Sequence, residues 1–142
     1  MNRTYVITGA GSGIGAATAK ALKDLGNTVI GVDLKNSDID ADLSTPLGRH
    51  EGAKKVIEAS NGSIDVVIAC AGLAHPTAQT VSVNYFGVTE FLFALLPTLT
   101  KSKTPRVAIT SSVASIMPNS PELVEAMCAN DETKAIEIAQ AL

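Results

Sequence analysis

The chain has 142 residues, 46% hydrophobic and 18% charged, with 11 Lys and Arg against 14 Asp and Glu for a formal charge of -3. This describes one globular domain with a sizeable core and excludes a disordered chain. The mild acidity supplies no concentrated basic face for a nucleic-acid partner, and no run of eighteen apolar residues is present to span a membrane.

The N-terminus enters a strand-like segment at once, without an apolar leader, so cytoplasmic residence is expected, with Cys70 and Cys128 as reduced packing residues. Short β-branched runs then alternate with longer helical ones, the pattern of a parallel α/β sheet. Tyr5–Thr8 reads as the first strand, apolar without alternation, as in a strand covered on both faces. Glycines break the chain, and a helix over Ile14–Leu25 places Ile14, Ala17, Ala21, Leu22 and Leu25 on roughly one face before Gly26-Asn27 ends it. Thr28–Asp33 is the second strand and Ile39 lies in a very short one. Ser44 is the expected N-cap, and Pro46 the first turn, of a helix running to about Ala59. Asp65–Cys70 is the most evident buried strand. A loop from Ala71 to Gln79 leads into a long helix from about Val81 to Leu96, which Pro97 bends or ends. Arg106–Ser111 is the fifth strand. Beyond it, Pro118, Asn119 and Pro121 mark a loop before two short helices, Glu122–Cys128 and Glu132–Ala141.

Chemistry concentrates between the first strand and first helix, at Thr8-Gly9-Ala10-Gly11-Ser12-Gly13-Ile14-Gly15. Glycine permits positive φ and lets backbone amides approach a pyrophosphate without a Cβ in the way. The helix beginning near Gly13 aims its free N–H groups at that anion, and Gly15 allows close helix–sheet packing. Asp33, with Leu34 beside it, ends the second strand, where a carboxylate accepts hydrogen bonds from adenosine ribose hydroxyls and repels a 2′-phosphate. The pattern therefore favours NAD, while Lys35 keeps NADP open as an alternative. A P-loop hydrolase fails for want of the Lys-Ser or Lys-Thr that should end such a loop; an FAD-binding Rossmann domain survives on fold alone. No His-x-x-His, paired carboxylates or cysteine cluster argues for a metal. His50 and His75 carry little functional weight, although the latter lies in the loop after strand four.

Taken in order, Thr8-Gly9-x-x-x-Gly13-Ile14-Gly15, Asp33, Asp42-Leu43, Cys70-Ala71-Gly72, Asn84 and Ser111-Ser112 resemble the short-chain dehydrogenase/reductase family. The runs Ala41–Thr45, Val81–Gly87 and Ser111–Ser115 are similar to its bacterial hydroxysteroid dehydrogenase/carbonyl reductase branch. The resemblance implies a Rossmann-type, doubly wound, three-layer α/β/α fold. Residues 1–117 would form the NAD-binding portion, and residues 118–142 a segment near the substrate entrance or a subunit interface. It also implies that Asp42 accepts a bond from the adenine amino group beside the Leu43 amide. Ala71 and Gly72 would line the cofactor, with Cys70 standing where asparagine is usual. Asn84 would hold a water in a proton relay, and Ser112 would polarise a carbonyl oxygen.

The implied activity is hydride transfer between nicotinamide and a secondary alcohol or carbonyl compound, of steroid or xenobiotic type, by a homo-oligomer when full length. The family's Tyr-x-x-x-Lys pair is absent, since Tyr5 and Tyr85 are the only tyrosines and neither has Lys four positions on. The expectation is thus a C-terminally incomplete sheet, inactive alone. A non-catalytic dinucleotide-binding or regulatory domain is the alternative.

Overall fold

Five parallel strands, β1 (Thr4–Thr8), β2 (Thr28–Asp33), β3 (Ile39–Asp40), β4 (Val66–Ala69) and β5 (Arg106–Ile109), form one sheet in the order β3-β2-β1-β4-β5. The computed structural model describes residues 2–142. Helix α1 (Gly13–Asp24) covers one face; α2 (Pro46–Ala59) and the apolar helix α4 (Gly87–Leu99) cover the other. The register explains this division. Val6 pairs with Ile30 and Val67, aligning three side chains toward α2 and α4, whereas Ile7, one residue on, faces Ala19 of α1. These strands are apolar on both faces because both are covered.

The helices start and stop where the chemistry requires. Gly26, at φ 83°, follows α1 and donates to the Lys23 carbonyl, while Asn27 donates to Leu22, closing the last turn. The expected N-cap of α2 moves by one residue. Thr45, not Ser44, accepts the Gly48 N–H at 3.0 Å, because the Ser44 N–H and hydroxyl are both committed to the Asp42 carboxylate.

The long apolar helix begins earlier than its periodicity suggests. A short helix, α3 (Ala78–Val81), runs through a π-helical turn at Ser82–Phe86 into α4, making a continuous rod from Ala78 to Leu99 with Pro97 inside its last turns. By length and composition this rod could cross a membrane. Here its Phe86, Phe91, Leu95 and Leu99 are at most 2% exposed within the fold. Helices α5 (Pro121–Cys128) and α6 (Glu132–Ala141) form a hairpin whose Ala126 and Ala135 close over Phe86. Strand β5 lies past the helical cover. Val107 and Ile109, in register with Val67 and Ala69, remain 42% and 55% exposed.

Asp65 ties three segments together at the amino end of the sheet. Its carboxylate accepts from the Ser102 hydroxyl at 2.6 Å and the Thr4 N–H at 2.9 Å. These two bonds, with the nearby Arg3 charge, outweigh desolvation and hold its pKa below the ordinary carboxylate value. A depressed folded-state pKa contributes stability that is present above the unfolded value and lost as pH falls through the folded one. Asp65→Asn is therefore expected to cost about 1–2 kcal/mol at pH 7 and to flatten the loss of stability below about pH 4. Urea midpoints from pH 7 to pH 3 would show both effects; a variant with the wild-type acid limb refutes the assignment.

Candidate functional site

The strand order reverses between β1 and its neighbours β2 and β4, which leaves a crevice at the carboxyl ends of these strands. A cleft of about 510 Å³ lies there. From the expected set it gathers Gly9, Ser12, Gly13, Ile14 and Gly15 on one wall and Asp33 with Leu34 above β2. Asp42 and Leu43 close the β3 side, and Cys70, Ala71 and Gly72 the β4 side. Residues separated by sixty positions thus meet because parallel strands deliver every βα turn to the same edge.

Local structure builds the glycine wall. Gly9 has φ 70°, and a Cβ there would lie 2.7 Å from the Ala71 nitrogen, so the first turn presses directly onto the exit from β4. Ser12 is the N-cap of α1 yet caps nothing with its side chain, leaving first-turn N–H groups facing the cleft. At Gly13, φ 54°, a Cβ would meet nothing within 4 Å. Ile14 beside it is 67% exposed. Open space over unpaired amides, with an apolar side chain at the rim, is what a phosphate-bearing ligand with an uncharged ring needs.

The expected residues outside the cleft's lining occupy supporting places. Thr8 is 2% exposed, and its Oγ1 accepts the Cys70 and Ala71 N–H groups, both at 3.2 Å, fixing the loop after β4. Gly11 donates its N–H to Asp33 Oδ2 at 2.9 Å, and Leu34 donates to Oδ1 at 2.7 Å, so the carboxylate is oriented by backbone alone. Asn84 stands in the π turn. Its amide accepts from Leu73 N at 2.8 Å and donates to Leu73 O at 2.9 Å, pinning the same loop from behind. Ser112 lies beyond β5, where its hydroxyl accepts the Ala114 N–H at 3.2 Å and caps a 3₁₀ turn over Val113–Ile116.

Cys70 receives a hydrogen bond from Thr110 Oγ1 at 3.4 Å, linking the ends of β4 and β5. Burial and the Cys128 thiol push the Tyr85 phenol above its ordinary pKa, the wrong direction for a proton donor that must ionise near neutrality.

Sequence reasoning missed Leu73, Gln79 and Val83, which join His75 along the cleft, and it missed Arg49. The Arg49 side chain is 1% exposed and every N–H of its guanidinium is engaged. Nε donates to Leu43 O at 2.8 Å; Nη1 reaches Glu90 and Glu132 at 2.8 and 2.7 Å. Nη2 reaches Ser44 O, Ser82 O and the second Glu132 oxygen. Burial works against this charge, but the two carboxylates more than offset it and hold the pKa above its ordinary value. The signal was a stripe at helical spacing, Arg49, Gly52, Ala53 and Val56, all buried.

Comparison with known proteins agrees with this arrangement. Residues 5–137 match the model of the NAD dependent epimerase/dehydratase family. The chain is 39% identical over 140 residues to the 3α-hydroxysteroid dehydrogenase/carbonyl reductase of Comamonas testosteroni, covering 95% of itself and 54% of that relative. It is 38% identical over 100 residues to a coniferyl-alcohol dehydrogenase of a Pseudomonas species, covering 67% of itself and 39% of that protein. The crystal structure of the 3α-hydroxysteroid dehydrogenase from Pseudomonas sp. B-0831, complexed with NADH, superposes with a TM-score of 0.92 at 42% identity, over 97% of this chain and 61% of that one. The chain spans about half the length of the first of these curated relatives. With its glycine wall, its acidic β2 terminus and its strand order, it belongs to the short-chain dehydrogenase/reductase superfamily, similar to the bacterial 3α-hydroxysteroid dehydrogenase/carbonyl reductases.

Proposed function

We propose that the cleft binds NAD(H), and that the chain supplies the cofactor-binding part of an oxidoreductase acting on a secondary alcohol or carbonyl compound. The observation that carries this reading is the convergence of open first-turn amides, a backbone-oriented Asp33 and the Asp42–Leu43 rim in one cleft. The fit is specific to the parts of a dinucleotide. Gly13 leaves free space where a side chain would fill the cradle, and the α1 amides suit a pyrophosphate. Asp33 retains lone pairs for ribose hydroxyls, and Leu43 with Asp42 offers an edge for adenine. Lined this way, the site favours NAD over NADP because a 2′-phosphate would meet the Asp33 carboxylate.

When bound, NADH supplies the hydride. The chain's own residues orient and hold: Thr8 and Asn84 fix the loop that carries Ala71 and Gly72, and Ser112, at the same sheet edge, would donate to a substrate oxygen. Steroids or xenobiotic carbonyls are the substrate class, in line with the names of the hydroxysteroid dehydrogenase relatives. With no Tyr-x-x-x-Lys in these 142 residues, they bind cofactor and do not turn over alone. The same absence favours a second reading, a non-catalytic dinucleotide-binding or regulatory domain. The two part on whether a Tyr-x-x-x-Lys pair accompanies this chain in the full-length protein. We place the protein in the cytoplasm, where Cys70 and Cys128 remain thiols, as a homo-oligomer at full length, with the apolar rod Ala78–Leu99 serving as a core helix rather than a membrane span.

Calorimetric titration with NADH and NADPH tests the cofactor. Wild-type protein should prefer NADH, and Asp33→Asn should weaken NADH by about tenfold while narrowing the preference. Absence of NADH binding by the folded wild type would overturn the reading.

A further inference from the structure

We infer that Arg49 is a positioning residue of the dinucleotide site, and that the α5–α6 hairpin acts through it to set the cleft's Asp42–Ser44 rim; the inference rests on the NAD(H) reading above. Arg49 does not line the cleft. It sits behind the rim and holds the carbonyls of Leu43 and Ser44, whose own atoms line the cavity. On its far side it donates a forked pair of bonds to Glu132, at the start of α6, whose oxygens lie 2.7 Å from Nη1 and Nη2. Such a fork fixes the plane of the guanidinium, and hence the direction in which Nε points at Leu43 O. Glu90 and the Ser82 carbonyl complete the setting, and the Phe86 ring lies 5.9 Å below.

Two glycines show that the rim is clamped at close quarters. A Cβ on Gly48 would lie 2.7 Å from the Asp42 carbonyl carbon and nearer still to its oxygen. One on Gly87 would lie 3.1 Å from Leu43 O. The rim backbone is therefore pressed between the start of α2 and the start of α4, and a small rotation of Arg49 has no slack to absorb it. None of residues 121–141 lines the cleft, yet through Glu132 and Arg49 they reach its β3 side.

Glu132→Ala tests this, since the side chain is 16% exposed and its removal leaves Arg49 still paired with Glu90. NADH and AMP, which share the adenylate end, should both weaken by about three- to tenfold, with Glu132→Gln intermediate because it keeps one acceptor. Amide hydrogen exchange should accelerate at Ser44 and Thr45, whose N–H groups are bonded to Asp42, and stay unchanged at Ala16, bonded to Ser12 O in the first turn of α1, a contrast that a general loss of stability would not produce. Arg49→Lys keeps the charge but not the fork, and should show the same pattern more strongly. Unchanged affinity in Glu132→Ala, or weakening with uniform loss of protection, overturns the inference alone. A wild type that binds neither NADH nor AMP overturns the dinucleotide reading, and this inference with it.

Discussion

Gly15→Ala is expected to destabilise the fold by about 3 kcal/mol and to abolish measurable NADH binding, whereas Gly13→Ala should cost only about 1–2 kcal/mol. The two positions differ by two residues and by their surroundings. A Cβ on Gly15 would lie 2.6 Å from the Gly9 carbonyl carbon, closer still to its oxygen, and 3.2 Å from the Ala10 nitrogen. Every one of these is a backbone atom of the phosphate-binding turn, so no side-chain rotation relieves the overlap. Alanine would gain roughly 1 kcal/mol of helix propensity over glycine, which is too little to compensate. The start of α1 must move off the turn, and the amides that face the cleft move with it. Gly13 presents the opposite case, with nothing within 4 Å and only its φ of 54° to penalise a side chain. Urea unfolding of the two variants beside wild type, with NADH titrations, decides it. Equal midpoints would mean that helix and turn do not approach as closely as described.

That contrast marks how far the residues alone disclose the site. Uninterrupted β-branched runs identify β1, β2 and β4 because a strand covered on both faces can hold little else, and the glycine turn locates the switch in strand order. Asp33 follows from chain position alone, since a parallel sheet puts the end of β2 beside the end of β1. What escaped depends on which hydrogen-bond partners the folded backbone selects, close in sequence at the α2 cap and far apart at Arg49. Asn84 is legible as a polar residue in an apolar helix, yet its two bonds to Leu73 arise only once the loop after β4 folds back over the π turn. Ser44 and Thr45 are equally able caps on paper; Asp42 takes the first, and Gly48 lets the helix begin tightly against the Asp42 carbonyl. Arg49 lies in a helix that reads as polar, with partners 41 and 83 residues away.

Arg49→Met should lower stability by about 3–5 kcal/mol, a large share of the roughly 5–15 kcal/mol that holds a domain of this kind together. The volume is nearly kept, so a cavity is not the cause. The loss comes from leaving Glu90 and Glu132 facing each other without a cation, and the carbonyls of Leu43, Ser44 and Ser82 without donors, in a space that water does not enter freely. Glu90, whose side chain is 32% exposed, can turn toward solvent and relieve part of this, which sets the expectation nearer 3 than 5 kcal/mol. Replacing Glu132 by leucine in the same chain removes the more deeply buried of the two carboxylates. The double variant Arg49→Met/Glu132→Leu should therefore recover stability relative to Arg49→Met, although Glu132→Leu alone destabilises the wild type. That reversal of sign is the signature of a charge made costly by the loss of its partner, and urea midpoints of the four proteins measure it. Additive losses would show that Arg49 and Glu132 do not share a buried ion pair, and that α6 is held to the core by apolar packing at Phe86 and Ala135 alone.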